Sequence, residues 1–147
     1  MSRKHSALRS HADRVASTCY VVRLRAFNRL ISGIYNKSLA NSNLTISQFN
    51  ILTAVVKREP VAATQICSAL HLEKSTLSRN IRLMRQNGWV CVETQGRTIL
   101  ISMTNKGRSI YETALPLWER AQQQTRELAG EEIFQRITST VQSLKRQ

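Results

Sequence analysis

The segment KSTLSRNIRLMRQ, residues 74–86, carries side chains whose types and spacing suit contact with a nucleic acid. Its apolar residues recur with the helical period and would form one face: Leu77, Ile81, Met84. The opposite face would carry polar and basic side chains: Ser75, Arg79, Arg82, Gln86. Arginine has a planar fork of donors that fits a guanine edge or a phosphate. The segment predicts a helix that packs on its own domain and lies in a major groove, and a solvated amphipathic helix is the alternative.

The whole chain is strongly basic, which favours a polyanionic partner. Its 147 residues include 22 lysines and arginines against 9 acidic residues, so the formal net charge is +13. Residues 1–44 contain 8 basic residues and 1 acidic residue, whereas 104–147 contain 7 and 5. Nucleic acid and an anionic membrane surface are the candidate partners, and a basic surface without a function is the third interpretation.

Length and composition exclude several classes of protein. The chain is long enough for one globular domain and short for two. It has no run of 18 apolar residues, and no signal-type apolar core follows its basic N-terminus, so we expect a cytoplasmic protein. The three cysteines, Cys19, Cys67 and Cys91, lack paired spacing and argue against a disulfide framework.

Neither catalysis nor metal binding is expected. The sequence shows no paired carboxylates on one face, no nucleophile–histidine arrangement and no phosphate-binding glycine loop. Its histidines and cysteines are scattered without the spacing of metal ligands. We therefore predict that the protein is not an enzyme and has no cofactor or metal.

Turn residues and apolar spacing predict the elements that position the basic helix. The first helix is expected over residues 10–39, with two apolar stripes that need cover on two sides, one cover being a second subunit. Thr45 and Gln48 fit a capping box at the start of a second helix, which ends before Glu59-Pro60. A short helix over 64–70 leads to a turn at His71, a residue type that tolerates the left-handed conformation.

A hairpin and two further helices follow the basic helix. Asn87-Gly88 ends that helix, and residues 89–93 and 98–103 are strand-like runs on either side of a turn containing glycine. Thr104 is the expected cap of a long helix through Leu128, which Pro116 should kink or bend. An amphipathic helix closes the chain. The expected fold is mainly α with a small β-hairpin wing, a winged helix-turn-helix between terminal helices.

Three segments in this order resemble the MarR family of bacterial transcriptional regulators. They are LTISQFNIL at 44–52, LHLEKSTLSRNIRLMRQNGWV at 70–90 and ISMTNKGRSIYETALPLW at 101–118. The resemblance implies a homodimer that binds a pseudo-palindromic double-stranded DNA operator, usually as a repressor that a small aromatic or anionic effector releases. It divides the chain into an N-terminal dimerisation helix with a basic arm (1–43), a winged helix-turn-helix (44–103) and C-terminal dimerisation helices (104–147), integrated in one domain.

The family pattern, carried over position by position, assigns DNA contacts to the basic helix. Lys74, Ser75 and Thr76 would enter the groove at the helix start, followed by Ser78 and Arg79, and Arg79 is the best candidate for base readout. The remaining assignments are Arg82 and Arg85 to phosphates, with solvated surface as an equal alternative. Two departures from the family pattern stand out: the short wing Thr94–Arg97 lacks an aspartate, so Arg97 alone would enter the minor groove, and Ala62 replaces a capping threonine.

The resemblance also suggests where the protein would sense a signal. Cys19 lies roughly where peroxide-sensing members of the family place a reactive cysteine, while a packed, inert thiol is the simpler interpretation. An effector pocket could draw on Tyr20, Arg23, Phe27 and Trp118. Two alternatives to an effector-released repressor stay open at this point: a redox-sensing repressor that uses Cys19, and a non-specific, architectural or protein-docking winged helix.

Overall fold

The computed structural model describes residues 2–144, with side chains from residue 5 onward. Residues 1 and 145–147, which belong to the predicted terminal segments, lie outside the described residues. Helices within this range are α1 Ser2–Thr18, α2 Tyr20–Leu39, α3 Ile46–Lys57, α4 Ala63–Leu70, α5 Lys74–Gln86, α6 Asn105–Ala129 and α7 Glu131–Leu144. Strands are β1 Val61–Ala62, β2 Val90–Gln95 and β3 Thr98–Met103. Apart from the first predicted helix, which is divided into α1 and α2, the predicted order of helices around a hairpin is confirmed. No helix in this range combines the length and the apolar character needed to cross a bilayer.

Two compact units make up the chain, residues 2–33 and residues 34–144. In the first, the prediction of one uninterrupted helix over 10–39 is wrong, because helix begins at Ser2 and is interrupted at Cys19. The hydroxyls of Ser17 and Thr18 donate to the carbonyl oxygen of Arg14 at 3.1 and 2.7 Å, and such bonds bend helices. The guanidinium of Arg23 donates to the carbonyl of Ser17 across the interruption.

Many apolar side chains of the terminal helices have no cover within the chain. The exposed ones on α1 and α2 are Leu8, Val15, Tyr20, Val21, Val22, Leu24 and Leu30. Those on α7 are Ile133, Phe134, Ile137, Val141 and Leu144. The first unit taken by itself thus leaves apolar side chains of α1 and α2 exposed, and their cover by a second subunit stays a prediction.

The core of the second unit begins with α3. The predicted capping box is confirmed: the Gln48 N–H donates to Oγ1 of Thr45 at 3.3 Å, and the Thr45 N–H donates to Oε1 of Gln48 at 2.9 Å. This cap fixes where α3 starts, so that Phe49, Ile51, Leu52 and Val55 are buried. Around them the core gathers residues from α4, α5 and the sheet.

The helix-turn-helix consists of α4 and α5. His71 ends α4 with φ +51°, which confirms the left-handed conformation expected at this turn. Ala62 supplies no side-chain cap, as predicted, but its N–H donates to Oε1 of Gln65 at 3.2 Å, which satisfies one backbone donor at the helix start. Leu77 and Met84 of α5 are buried against the core and Ile81 is half-buried, as the apolar period predicts.

A three-stranded antiparallel sheet forms the wing, in the order β1-β3-β2. In the hairpin, Val90 pairs with Met103 and Gln95 with Thr98, so the turn contains only Gly96 and Arg97. The φ of +59° at Gly96 is a left-handed conformation, which glycine adopts without a Cβ penalty. Sequence reasoning missed β1, which pairs with β3 through Val61 and Ile101, because two residues are too few to show a strand period.

The start of α6 joins the base of the wing to the end of α5. Thr104, the predicted cap, accepts the Gly107 N–H at 3.0 Å, and its hydroxyl donates to the carbonyl of Gly88 at 2.6 Å. The Thr104 N–H donates to the carbonyl of Trp89 at 3.1 Å. These bonds hold three elements around one point, so the orientation of α5 depends on where α6 begins. Pro116 lies inside α6 without interrupting it.

Candidate nucleic-acid interface

Helix α5 presents a buried side and an outward side. One side is buried in the core through Leu77 and Met84, whose side chains are 3% and 0% exposed. The outward side carries the predicted polar and basic residues, which are all exposed: Ser75, Arg79, Arg82, Gln86. Because the buried side anchors the helix along its length, the outward side is presented as a rigid surface.

Arg79 is partly fixed on this outward side. Its Nε donates to the carbonyl oxygen of Ser75 at 3.3 Å, one turn earlier in the helix. A guanidinium has five N–H donors, so this bond leaves the terminal amino groups for other acceptors. Asn80 makes the equivalent bond on the neighbouring side, from Nδ2 to the carbonyl of Thr76 at 2.9 Å. An arginine whose guanidinium is already bonded to its own helix loses less conformational freedom on binding than a mobile one.

The first turn of α5 is open to an anion. Lys74 and Ser75 are exposed and Thr76 is half-buried, while Glu73 precedes the helix without making a side-chain cap. No acidic side chain lies in the first turn. The partial positive charge of a helix N-terminus therefore adds to the charge of Lys74 at this end.

A groove of about 550 Å³ lies between α5, the start of α4 and the wing, and we call it the helix–wing groove. Four cationic side chains line it: Lys74, Arg82, Arg85, Arg97. The rest of its lining is Ala63, Thr64, Cys67, Leu77, Ser78, Ile81, Val92, Thr98, Ile99 and Ile101. Most of these are apolar, so the groove combines an apolar lining with four exposed cationic residues.

The groove groups the predicted residues in a way that sequence reasoning missed. Arg82 and Arg85 line the same concavity as Arg97 of the wing, although 12 positions of sequence separate Arg85 from Arg97. The signal present in the sequence was the spacing of Lys74, Ser78 and Arg85, which places them on one helix side between the buried and the outward sides. Pairing of that side with the wing depends on the fold and could not be read from the helix alone.

Arg97 lies at the tip of the wing and is exposed. Among the described residues it makes no ion pair and no side-chain hydrogen bond, so no carboxylate orients it. It is also the only basic residue in the hairpin from Val90 to Met103, where Glu93 is the only acidic one. Its reach toward a minor groove stays a prediction.

The predicted effector and redox residues have varied surroundings. Tyr20 is 82% exposed on α2, the Arg23 guanidinium is bonded to the Ser17 carbonyl, and Phe27 is half-buried. In the other unit, Trp118 stacks on Phe49 with ring centroids 6.0 Å apart, so at least part of its role is packing. An effector site built from these residues stays a prediction.

Each cysteine has a different environment. Cys19 is half-buried at the interruption between α1 and α2, which its sequence position did not reveal. Cys67 is half-buried, packs against core residues and also lines the helix–wing groove. Cys91 is exposed on β2, and its thiol lies 3.6 Å from the Ser102 carbonyl oxygen. No cluster of three metal-ligating residues occurs in the part of the chain that the structure describes.

Known proteins are similar to this chain in both sequence and fold. Residues 42–97 match the model of the MarR family. The uncharacterized HTH-type transcriptional regulator YwoH of Bacillus subtilis is 32% identical over 87 residues, which cover 57% of this chain and 63% of that protein. The crystal structure of the M. tuberculosis transcriptional regulator MosR has a TM-score of 0.79 and 26% identity, covering 90% of this chain and 99% of that one.

Two solved complexes have the same fold. The complex of MosR with DNA has a TM-score of 0.76 and 27% identity, over 86% of this chain and 96% of that chain. CouR from Rhodococcus jostii RHA1 bound to p-coumaroyl-CoA has a TM-score of 0.73 and 20% identity, over 87% and 92% of the two chains. The match of residues 42–97 and the likeness of nearly the whole chain to solved regulators agree with each other: the winged segment is similar to the MarR family, and the fold is that of these regulators.

Proposed function

We propose that this protein is a homodimeric, sequence-specific transcriptional repressor that binds double-stranded DNA and is released by a small effector. The observation that carries the proposal is the continuous basic surface made by the outward side of α5 and the helix–wing groove. The match of residues 42–97 to a family of transcriptional regulators supports it. The solved DNA complex of MosR, which is 27% identical, supports it as well. We propose no enzymatic activity and no cofactor. Such a regulator works at the bacterial chromosome, in the cytoplasm.

In the proposed complex, the two sides of α5 have different tasks. The outward side lies in the major groove, where Arg79 is the residue that reads a base edge, helped by Ser75 and Thr76. The helix–wing groove lies over the phosphate backbone between the major groove and the adjacent minor groove. Its four cations neutralise phosphates, which positions the protein but carries no sequence information. Arg97 extends this contact to the minor groove.

Dimerisation supplies the second half of the site. Helices α2 and α7 expose more apolar side chains than a soluble monomer usually does. A second copy of the chain would cover them. A two-fold dimer places two copies of α5 on the same side of the duplex, about 34–36 Å apart along its axis. The terminal segments 1–43, which include a basic arm, and 104–147 thus contribute the dimerisation helices in this proposal, and the winged helix-turn-helix 44–103 reads the operator.

Release by an effector is the second part of the proposal. The structure of CouR with p-coumaroyl-CoA offers an aromatic acyl ligand as an example for a protein of this fold. For this chain we propose a small aromatic or anionic effector, for which Arg23 and Tyr20 are candidate contacts. A thermal-shift screen of aromatic acids, followed by release of the protein from DNA, tests this part separately from DNA binding itself.

Substitution of Arg79 tests the proposed function. A bidentate contact between arginine and guanine discriminates against other bases by about 1–3 kcal/mol, so Arg79→Ala should lower the preference for the selected site over a mutated site by roughly five- to 150-fold per half-site. Its affinity for unrelated duplex should fall much less. Arg120→Ala is the control, because Arg120 is exposed on α6 and makes no ion pair among the described residues.

A non-specific winged helix is the competing function. In that case the charge of +13 supplies affinity for any duplex, and Arg79→Ala weakens binding to the selected and unrelated duplexes by equal factors. Competition with bulk DNA separates the two functions as well, since only a specific complex survives a large excess of competitor.

A further inference from the structure

Helix α1, residues 2–18, takes no part in the DNA contacts proposed for the two winged domains. It is a helix of 17 residues, yet every residue from 5 to 18 is exposed. A free helix of this length is only marginally stable in water, so α1 depends on contacts that the single described chain does not supply. Its sequence indicates which contacts those are.

Most of the charge on α1 is positive, and the basic side chains that the structure describes there, Arg9 and Arg14, make no ion pair with a described residue. Residues 2–18 contain four basic residues, Arg3, Lys4, Arg9 and Arg14, and one acidic residue, Asp13. The three ion pairs among the described residues all lie between positions 59 and 136, so none of them neutralises α1. With α2 up to residue 33, the first unit carries 7 basic residues and 1 acidic residue, close to half of the net charge of the chain.

The charge and the apolar residues of α1 occupy different sides. Leu8, Ala12 and Val15 recur with the helical period and form one narrow apolar strip. At roughly 100° per residue, Arg9 lies about 100° from Leu8 in one direction and Arg14 about 120° in the other. A second copy of the chain could therefore cover the strip and still leave both arginines accessible.

The junction with α2 gives α1 a defined end. The hydroxyls of Ser17 and Thr18 both donate to the carbonyl of Arg14, and Arg23 donates to the carbonyl of Ser17. The backbone bond from the Cys19 N–H to the Val15 carbonyl, 2.9 Å, continues across the interruption. These local bonds make α1 a separate helical segment attached to α2 rather than a loose tail.

We propose that α1 is a DNA-binding arm that contacts the phosphate backbone outside the two half-sites covered by the winged domains. The proposal rests on the proposed function and extends its interface. At about 1.5 Å per residue the arm is about 25 Å long, which corresponds to roughly seven base pairs of duplex. Charge complementarity selects duplex DNA as the occupant, since the arm offers cations without the aromatic residues that stack on single-stranded bases.

The test compares salt dependence on two duplexes. Both contain a site selected by the full-length protein from a random pool, one trimmed to the two half-sites and one with about ten additional base pairs at each end. Each phosphate contact contributes about 0.9 to the slope of log K against log salt concentration. On the long duplex, Arg9→Gln/Arg14→Gln should lower that slope by up to about 3.6 for a dimer with two arms. On the short duplex the slope should change little.

A matched variant controls for the loss of charge. Arg120→Gln/Arg136→Gln removes the same number of charges from exposed positions of α6 and α7 and should leave the slope unchanged on both duplexes. Breaking the exposed pair of Arg136 with Glu132 costs little stability. If wild type and the α1 variant had equal salt slopes on the long duplex, the proposal of a DNA-binding arm would be wrong. It would also be wrong if the variant lowered the salt slope equally on the two duplexes.

The remaining outcomes also decide the matter. If the α1 variant loses only binding to vesicles of phosphatidylglycerol and phosphatidylcholine, the arm is a membrane contact and the DNA assignment is overturned. If the α1 variant dissociates into monomers while the control does not, the arginines serve dimerisation instead. Failure of the wild-type chain to form a specific complex with either duplex would overturn the proposed function, and the arm with it.

Discussion

Replacing Gly107 by alanine perturbs the point where α6, the wing and the end of α5 meet. Gly107 is buried in the first turn of α6. A Cβ at this position would overlap the carbonyl oxygen of Trp89 and would lie 2.7 Å from Cγ of Met103 and 2.9 Å from the carbonyl carbon of Trp89. Carbon atoms in contact prefer a separation of about 3.5–4.0 Å, so something must move by the better part of an ångström.

The structure indicates that this movement is costly. The Met103 side chain can change rotamer, but the Trp89 carbonyl is backbone, and the Thr104 N–H donates to it at 3.1 Å. Forcing an extra carbon into a packed site destabilises a protein by about 1–3 kcal/mol. The higher helix propensity of alanine offsets at most about 1 kcal/mol of this loss. We expect Gly107→Ala to lower the free energy of unfolding by about 1–2 kcal/mol and to weaken DNA binding, because α5 is oriented from the same point.

Urea unfolding at a fixed protomer concentration measures this effect, since the stability of a dimer depends on concentration. Gly33→Ala is the control, because a Cβ on Gly33 of α2 meets nothing within 4 Å in the described chain. That substitution should raise the free energy of unfolding by about 0.5–1 kcal/mol. If Gly107→Ala were as stable as the wild type, the close approach of α6 to Trp89 would be wrong.

The remaining predictions concern capping, assembly and redox sensing. Thr45→Ala removes an acceptor for the Gln48 N–H and should cost about 1 kcal/mol in urea unfolding; an unchanged midpoint would contradict the role of the capping box. Ile137→Lys places a charge in the exposed apolar face of α7 and should yield monomers in light scattering, whereas Ser143→Lys on the same helix should not. Cys19→Ser tests the redox alternative: if Cys19 is the trigger, oxidant no longer releases the variant from DNA, and unchanged release excludes Cys19.

Local patterns were sufficient to predict most elements. The capping box at Thr45, the left-handed turn at His71 and the cap at Thr104 each depend on side chains within a few residues of one another, and the structure confirms all three. The buried side of α5 followed from the spacing of Leu77 and Met84. Interactions of this kind are local in sequence, so a sequence pattern predicts them well.

Features that depend on distant residues were missed. Strand β1 exists because Val61 pairs with Ile101, and the helix–wing groove exists because the hairpin that carries Arg97 packs against α5. The interruption at Cys19 is a different case, because it arises from side-chain bonds of Ser17, Thr18 and Arg23 to backbone carbonyls, which compete with regular helix. The apolar period continues through it and gave no sign of a break. The proposed dimer contacts of the terminal helices also depend on distant residues, and the single chain shows only exposed apolar faces there.

In the proposed complex, two copies of α5 read one two-fold symmetric site. Selection of duplexes from a random pool, followed by footprinting of the best sequence, measures this symmetry. We predict a pseudo-palindromic consensus whose half-sites are centred about 10–10.5 base pairs apart, with protection on one side of the duplex. A pool without any consensus, or a single half-site bound by a monomer, would show that paired α5 helices do not read the DNA.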